Sequence, residues 1–107
     1  MKKNKKNVHK VSLFTNLSYV LKQIATELYK TLSNIEQSIQ SGNTDLNAIL
    51  QQGRDRLTAQ DFEVDYLEVR TPDLQPVTHL DQDIVVLVAA RLGTTRLIDN
   101  LLIRHVH

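Results

Sequence analysis

The chain has 107 residues, of which 41% are hydrophobic and 23% charged, with a net charge of +1 and no cysteine. This length suits one domain, and the absence of cysteine excludes a disulfide framework, a thiolate metal site and a cysteine nucleophile. No apolar run approaches the ~20 residues of a membrane span, and no long apolar segment follows the basic N-terminus. We therefore expect a cytoplasmic protein with no membrane partner.

The first ten residues carry a concentrated positive charge. Five of the 13 Lys and Arg lie there without any acidic residue, which leaves 8 basic against 12 acidic residues, or about −4, in the rest of the chain. We predict that residues 1–10 form a basic disordered leader. A basic arm for nucleic acid is the alternative. However, no aromatic residue interleaves the lysines and the remaining chain is acidic, which argues against a nucleic-acid partner.

A helical period follows the leader. Apolar residues recur at spacings of three and four and would form one stripe of a helix: Leu17, Val20, Leu21, Ile24, Leu28, Leu32, Ile35 and Ile39. Thr15 or Asn16 would cap the start of this helix. Gly42 would end it, because glycine readily adopts the left-handed conformation found after a helix C-terminus.

A second helix is predicted after a short Ser-Gly-Asn loop, with Thr44 as its N-cap. Its apolar stripe comprises five positions: Leu46, Ile49, Leu50, Gly53 and Leu57. Gly53 lies on this stripe, where its missing side chain would let another backbone approach closely. Because the connecting loop is short, we expect the two helices to be antiparallel.

The period changes after Gln60. Residues 62–70 alternate in part and favour a strand. Residues 74–77 form a short extended piece, and Pro76 within it suits a sheet edge or a loop. Residues 84–90 (IVVLVAA) form an unbroken apolar run, typical of a central strand buried on both faces. Gly93 would turn the chain with a positive φ, and residues 96–102 would return as the last strand. This order predicts an α+β fold in which two N-terminal helices pack on a small, mostly antiparallel three-stranded sheet.

The sequence contains few groups with catalytic spacing, and it has neither a G-x-G-x-x-G motif nor a P-loop. His105 and His107 alternate at the C-terminus and could bind a metal, but an unpaired terminal His-x-His is more often a frayed end. His79 is expected on a surface loop. Four carboxylates lie in or near the first strand, and we expect most of them to point to solvent: Asp61, Glu63, Asp65 and Glu68. We therefore predict no catalytic residue and no metal site.

Charged and polar residues gather around the Gly93 turn, namely Arg91, Arg96, Asp99 and Asn100. In one interpretation the two arginines face a phosphate at the mouth of a site. In the other, an Arg–Asp pair and the Asn side chain tie the last strand to the turn. Spacing alone favours the structural interpretation.

Four blocks of the sequence resemble pantothenate synthetases, the pantoate–β-alanine ligases. Residues 85–100, VVLVAARLGTTRLIDN, are similar to the closing signature of that family, in which an apolar strand leads into A-A-x-x-G-x-x-R-L-I-D-N. Residues 66–70 (YLEVR) resemble its first lid strand, and residues 24–30 (IATELYK) and 42–50 resemble its two lid helices. The blocks agree in order and spacing and extend over about residues 16–103. Residues 11–107 are therefore interpreted as the C-terminal lid domain of such an enzyme.

The resemblance implies a two-step condensation that uses ATP and Mg²⁺ in pantothenate and coenzyme A biosynthesis. Pantoate attacks the α-phosphorus of ATP to give pantoyl adenylate and pyrophosphate, and β-alanine then displaces AMP to give pantothenate. The family's nucleotide-binding half would be the partner of this chain, and a homo-oligomer is left open. A closing lid would exclude water from the adenylate.

One family motif is degraded in this sequence. The family shows Ser-Ser-Arg-Asn-x-Tyr-Leu at the junction to the lid, and the matching residues 11–17 read VSLFTNL, in which Ser12 and Leu17 agree and Leu13 replaces the phosphate-binding Arg. The resemblance thus leaves Ser12, Arg91 and Arg96 as candidate nucleotide-binding residues. We expect no tight cofactor binding and no activity from this chain alone. The alternative is a free-standing α+β interaction module, derived from the lid, without ATP chemistry.

Overall fold

The computed structural model describes the backbone of residues 2–105 and the side chains of residues 19–105. Two helices precede three strands: α1 (Lys2–Gln40), α2 (Leu46–Ala59), β1 (Glu63–Arg70), β2 (Ile84–Leu92) and β3 (Thr95–Ile103). The strands form one antiparallel sheet in the order β1-β2-β3. The predicted α+β class and its two-helix, three-strand composition are confirmed.

Several predictions concern residues beyond this range. The disordered leader of residues 1–10 and the site residue Ser12 lie outside the residues with described side chains, and His107 lies outside the described residues altogether. These three predictions stay untested. The predicted cap at Thr15 or Asn16 is wrong, because α1 begins at Lys2 and both residues lie inside it.

Helix α1 packs its apolar stripe on the sheet. Ile24, Leu28, Leu32 and Ile35 are at most 2% exposed, as the three-and-four spacing predicts, whereas Leu21, assigned to the same stripe, is 40% exposed. The helix ends at Gln40, and Gly42 follows it in the expected left-handed conformation, with φ 99°. The amide of Asn43 donates to the Ser38 carbonyl and that of Gly42 to the Ile39 carbonyl, which is the Schellman arrangement of a helix C-terminus.

Helix α2 begins one residue later than predicted. Its N-cap is Asp45, not Thr44, because the Asp45 carboxylate accepts the amide hydrogen of Ala48 at 3.1 Å. A carboxylate at this position also interacts favourably with the positive end of the helix dipole, which a threonine hydroxyl cannot match.

Gly53 is buried on the predicted stripe of α2, but a side chain rather than another backbone approaches it. A Cβ atom at this position would lie 2.8 Å from Cδ2 of Leu67 and 3.3 Å from side-chain carbons of Ile35 and Thr31. Because glycine has no Cβ atom, α2 packs at this position against Leu67 of β1 and against Ile35 and Thr31 of α1.

The central position of β2 is confirmed, but burial on both faces holds only at Ala89, which is fully buried although it faces away from the helices. Ile84, Val86, Val88 and Ala90 point to the helices and are at most 1% exposed. This inner face, together with the helix stripes, forms the hydrophobic core. Val85 and Leu87 point to the opposite face, where they are only half-buried. No helix or strand within the described residues lies on that outer face, since both helices pack on the inner one.

The predicted extended piece at residues 74–77 is not a strand. It belongs to the loop between β1 and β2, where the Thr71 amide donates to the Gln75 carbonyl, and the Leu74 amide donates back to the Thr71 carbonyl. The Thr71 hydroxyl also accepts the Gln75 amide. These local turn bonds use the donors that a strand would have directed to β2, and Pro76 has no donor.

Among the described residues, no helix is both long and apolar enough to cross a membrane.

Candidate functional site

The β2–β3 turn brings the two candidate arginines together. Arg91 and Arg96 are directly paired across the two strands, one pair away from the turn that contains Gly93. Gly93 has φ 64°, as predicted, so a residue with a side chain would be strained there. Pairing residues in a sheet share one face, and both guanidinium groups therefore lie on the outer face at the turn end.

A carboxylate from β1 joins these arginines. Asp65 lies where the β1–β2 register shifts between Val64 and Tyr66, and such a bulge redirects a side chain. Its Oδ2 accepts a hydrogen bond from Arg96 Nε at 2.6 Å, and its Oδ1 lies 3.5 Å from Arg91 Nη2. The same Nη2 lies 2.7 Å from Glu63 Oε1. Two arginines and two carboxylates thus form one cluster, here called the turn cluster.

The turn cluster holds Asp65 in its ionised form. The hydrogen bond from Arg96 lowers the pKa of the Asp65 carboxyl below its ordinary value of 3.8, and the charges of Arg91 and Arg96 add to this effect. Desolvation acts in the opposite direction without reversing it. The carboxylate is therefore charged at neutral pH and neutralises the arginines beside it.

The contacts support a structural role for the arginines, but with a different partner from the one expected. Asp99 does not pair with either arginine, because the register pairs it with the inward-facing Val88, on the opposite face of the sheet. Its Oδ1 accepts the amide hydrogen of Asn100 at 2.8 Å. Asp65, which the sequence placed among carboxylates pointing to solvent, takes that role. The expectation that carboxylates of the first strand point to solvent holds better for Glu63 and Glu68. The Glu63 side chain is 74% exposed, and Glu68 pairs at the surface with Arg70.

The turn cluster has limited capacity to bind an anion. Arg91 and Arg96 have side chains 43% and 44% exposed, and Arg91 Nε is a buried donor without a hydrogen-bond partner, which favours an additional acceptor. However, each guanidinium already contacts a carboxylate, so a phosphate would have to compete with Asp65 and Glu63. Contact of Arg91 and Arg96 with ATP stays a prediction. The third candidate nucleotide-binding residue, Ser12, lies outside the residues with described side chains.

The candidate histidines lie at the opposite end of the sheet. His79 pairs with Asp81 in the β1–β2 loop, and this hydrogen bond is the main cause of the lowered pKa of Asp81. The backbone amide of His105 donates to Asp83 Oδ1 at 2.8 Å. Within residues whose side chains are described, no three His, Asp or Glu groups converge as metal ligands.

Sequence reasoning did not anticipate a groove beside these residues. It has a volume of about 670 Å³ and lies between the end of α1, the loop before β2 and the end of β3. Its walls include the apolar residues Ile39, Leu80, Ile84 and Ile103. The three segments that form the groove are distant in sequence, so no local pattern could have revealed it.

Comparisons with known proteins agree on one family. The model of the family described as pantoate-beta-alanine ligase matches residues 3–102. The chain is 47% identical over 88 residues to the pantothenate synthetase of Acinetobacter baylyi and 49% identical over 86 residues to that of Pseudomonas fluorescens. These matches cover 82% and 79% of this chain but 31% and 30% of the relatives, so the chain spans about 30% of their length.

A solved structure supports the same relationship. The crystal structure of pantothenate synthetase from Thermus thermophilus superposes with a TM-score of 0.65 at 30% sequence identity. The superposition covers 76% of this chain and 30% of that one.

Proposed function

The chain belongs to the pantoate-beta-alanine ligase family, and from this premise we propose that it serves as the C-terminal lid of a pantothenate synthetase. The whole enzyme would condense pantoate with β-alanine through pantoyl adenylate, converting ATP to AMP and pyrophosphate in the cytoplasm. The observation that carries this proposal is the family match across residues 3–102. The closing signature within it forms most of the β2–β3 hairpin and supplies the two arginines of the turn cluster.

The contribution of this chain would be closure rather than chemistry. Adenylation requires groups preorganised around the α-phosphate, because electrostatic preorganisation is usually the largest catalytic effect. The described residues do not fit ATP and Mg²⁺ by themselves, since the turn-cluster arginines are already neutralised and no three possible metal ligands converge. We therefore derive no reaction step through this chain. ATP and Mg²⁺ would be held mainly by the nucleotide-binding half, the proposed partner.

A direct assay tests this proposal. The purified chain is incubated with ATP, Mg²⁺, pantoate and β-alanine, and AMP release is followed with a coupled enzyme, while calorimetry measures ATP binding. We expect no AMP release and at most weak, salt-sensitive ATP binding. Turnover that survives repurification and disappears in the Arg96→Ala variant would overturn the closure-only role.

The lid role itself is tested in a full-length enzyme. In a chimera, residues 3–102 of this chain, the range that the family model matches, replace the corresponding segment of the Acinetobacter baylyi enzyme. We expect the chimera to make pantothenate, whereas the same enzyme without the segment should not, because water would reach the adenylate. A folded but inactive chimera would argue against the lid role.

The second candidate function is a free-standing interaction module that no longer takes part in ATP chemistry. The observation favouring it is Leu13, which stands where the family motif has its phosphate-binding arginine. Replacing Leu13 with Arg in the chimera separates the two candidates. A large gain in activity from Leu13→Arg would show that the present chain has lost a nucleotide contact, whereas full activity without it would favour the lid.

A further inference from the structure

The outer face of the sheet is apolar at its centre. Six residues that alternate with the core positions lie there: Tyr66, Val85, Leu87, Ala89, Ile98 and Leu102. Ile98 is 59% exposed and Leu102 41% exposed. The register places Tyr66, Ala89 and Ile98 in one row across the three strands, and Val85 beside Leu102 two rows further along. In the row between them, Leu87 lies between Glu68 and Asn100, and Ala89 is itself fully buried. The exposed apolar area is therefore formed by Ile98 and Leu102, with the half-buried Tyr66, Val85 and Leu87 beside them.

The central strand departs from the pattern of a solvated sheet face. In an antiparallel sheet with one face in water, apolar and polar residues normally alternate along each strand. β2 instead has Val85, Leu87 and Ala89 at its first outward positions, and a polar residue first appears at Arg91. This composition is that of a strand covered on both faces, but both helices pack on the inner face.

The charges around this apolar centre are paired with one another. At one end, the turn cluster joins Arg91 and Arg96 to two carboxylates at distances down to 2.6 Å. At the other end, Arg70 lies 2.8 Å from Glu68. A face with an apolar centre and a neutralised rim suits a protein surface, because a polyanion would find no free cluster of cations on it.

The length of the relatives indicates which protein surface this is. The matched segment is only 31% of the Acinetobacter baylyi enzyme and 30% of the Thermus thermophilus chain. Each relative therefore carries a much larger body outside the segment, and that body is available to cover an outer sheet face. If a second copy of this chain covered the outer face, that face would have to be complementary to itself. Nothing in the strand register indicates such self-complementarity.

Building on the proposed function, we propose that the outer face is the surface through which the lid docks on the rest of the enzyme. The apolar side chains from Tyr66 to Leu102 would be buried against the larger body, and the two charged ends would form the rim. This assignment gives Ile98 and Leu102, which the core does not use, a specific role in interdomain contact.

Cysteine labelling tests the docking, and the chain suits it because it contains no cysteine. Ile98→Cys and Leu102→Cys place thiols on the outer face, and Leu74→Cys places a control thiol on the β1–β2 loop, where Leu74 is 63% exposed. Each variant is labelled with a maleimide, both as the full chain and within the Acinetobacter baylyi chimera described above. The chimera without an added cysteine gives the background, and the same exchange in the Pseudomonas fluorescens enzyme provides a second host.

We expect the thiols at 98 and 102 to react about tenfold or more slowly in the chimera than in the chain alone, because they react only when the interface opens. The control thiol at 74 should react at similar rates in both. Equal rates at 98 in both proteins would overturn the proposal. Slow labelling in the chain alone that depends on its concentration would also overturn it, in favour of a second copy as the occupant.

Pantothenate formation by the same chimeras separates this inference from the proposed function. An active chimera with unprotected thiols would refute the docking face and leave the lid function standing. An inactive chimera with protected thiols would refute the lid function and support the docking face.

Discussion

At the scale of single residues, Asp65 determines the arrangement of the Gly93 turn. It contacts Arg96, which is 31 residues away in sequence, and a β-bulge in β1 places it within reach. Local sequence offered Asp99 as a nearer partner, but that side chain accepts a bond from the adjacent backbone. Charge pairing across strands therefore depends on register, which the neighbouring sequence does not specify.

The lowered pKa of Asp65 predicts a pH-dependent stability. A carboxyl whose pKa is lower in the folded state stabilises the fold above its unfolded pKa, and this contribution is lost as the pH falls through the folded value. Asp65→Asn should therefore lower Tm at pH 7, and the difference from wild type should shrink below about pH 4. Thermal unfolding at several pH values measures it. The matched control is Asp55→Asn, an exposed carboxylate on α2 that contacts the neutral Gln51 amide.

Gly53 offers a second prediction at this scale. Alanine there would gain about 1 kcal/mol in helix propensity but would bring its Cβ to 2.8 Å from the buried Leu67 Cδ2. Overpacking typically costs about 1–3 kcal/mol, so we expect Gly53→Ala to be destabilising by roughly 1 kcal/mol net. Leu67→Val removes the contacting carbon and should relieve part of that cost. Denaturant unfolding of both single variants and the double variant measures the coupling, and strict additivity would refute the contact.

At the scale of elements, the start of α2 depends on one side chain. Asp45→Ala removes the carboxylate that accepts the Ala48 amide, and it should cost about 0.5–2 kcal/mol of stability. Thr44→Ala is the neighbouring control and should change stability by only a few tenths of a kcal/mol, because it leaves the cap in place. Equal effects of the two substitutions in denaturant unfolding would contradict Asp45 as the cap.

The two faces of β2 should respond differently to the same charge. Val86 is fully buried beneath the helices, so Val86→Asp would place an unpaired charge in the core and should abolish cooperative unfolding. The adjacent Leu87 points to the half-exposed outer face, and Leu87→Asp should unfold cooperatively with a loss of roughly 1 kcal/mol. A sharp thermal transition in Val86→Asp would show that the helices do not cover that face.

At the scale of the whole molecule, the chain corresponds to about 30% of the enzymes it resembles. Its described residues build a core of their own from two helices and three strands. Among these residues the turn-cluster arginines pair with carboxylates, and no three possible metal ligands converge. Under the docking proposal, the outer face would meet the larger body that the relatives carry outside this segment.

The sequence by itself determined what local patterns control. The spacing of apolar residues predicted the inward stripes of α1 and α2, the apolar run predicted β2 as the central strand, and Gly93 predicted the turn with positive φ. These features depend on backbone geometry and on residues close in sequence. The long closing signature likewise identified the family without any structure.

Only the tertiary structure decided how distant segments meet. It showed that Asp65 pairs with the arginines, that Leu67 fills the space beside Gly53, and that the helices leave the outer face of β2 uncovered. In each case the partners are separated by loops, and their meeting depends on strand register and on the face that the helices choose. A linear pattern records that a residue prefers burial or an opposite charge, but the packed fold determines which group provides it.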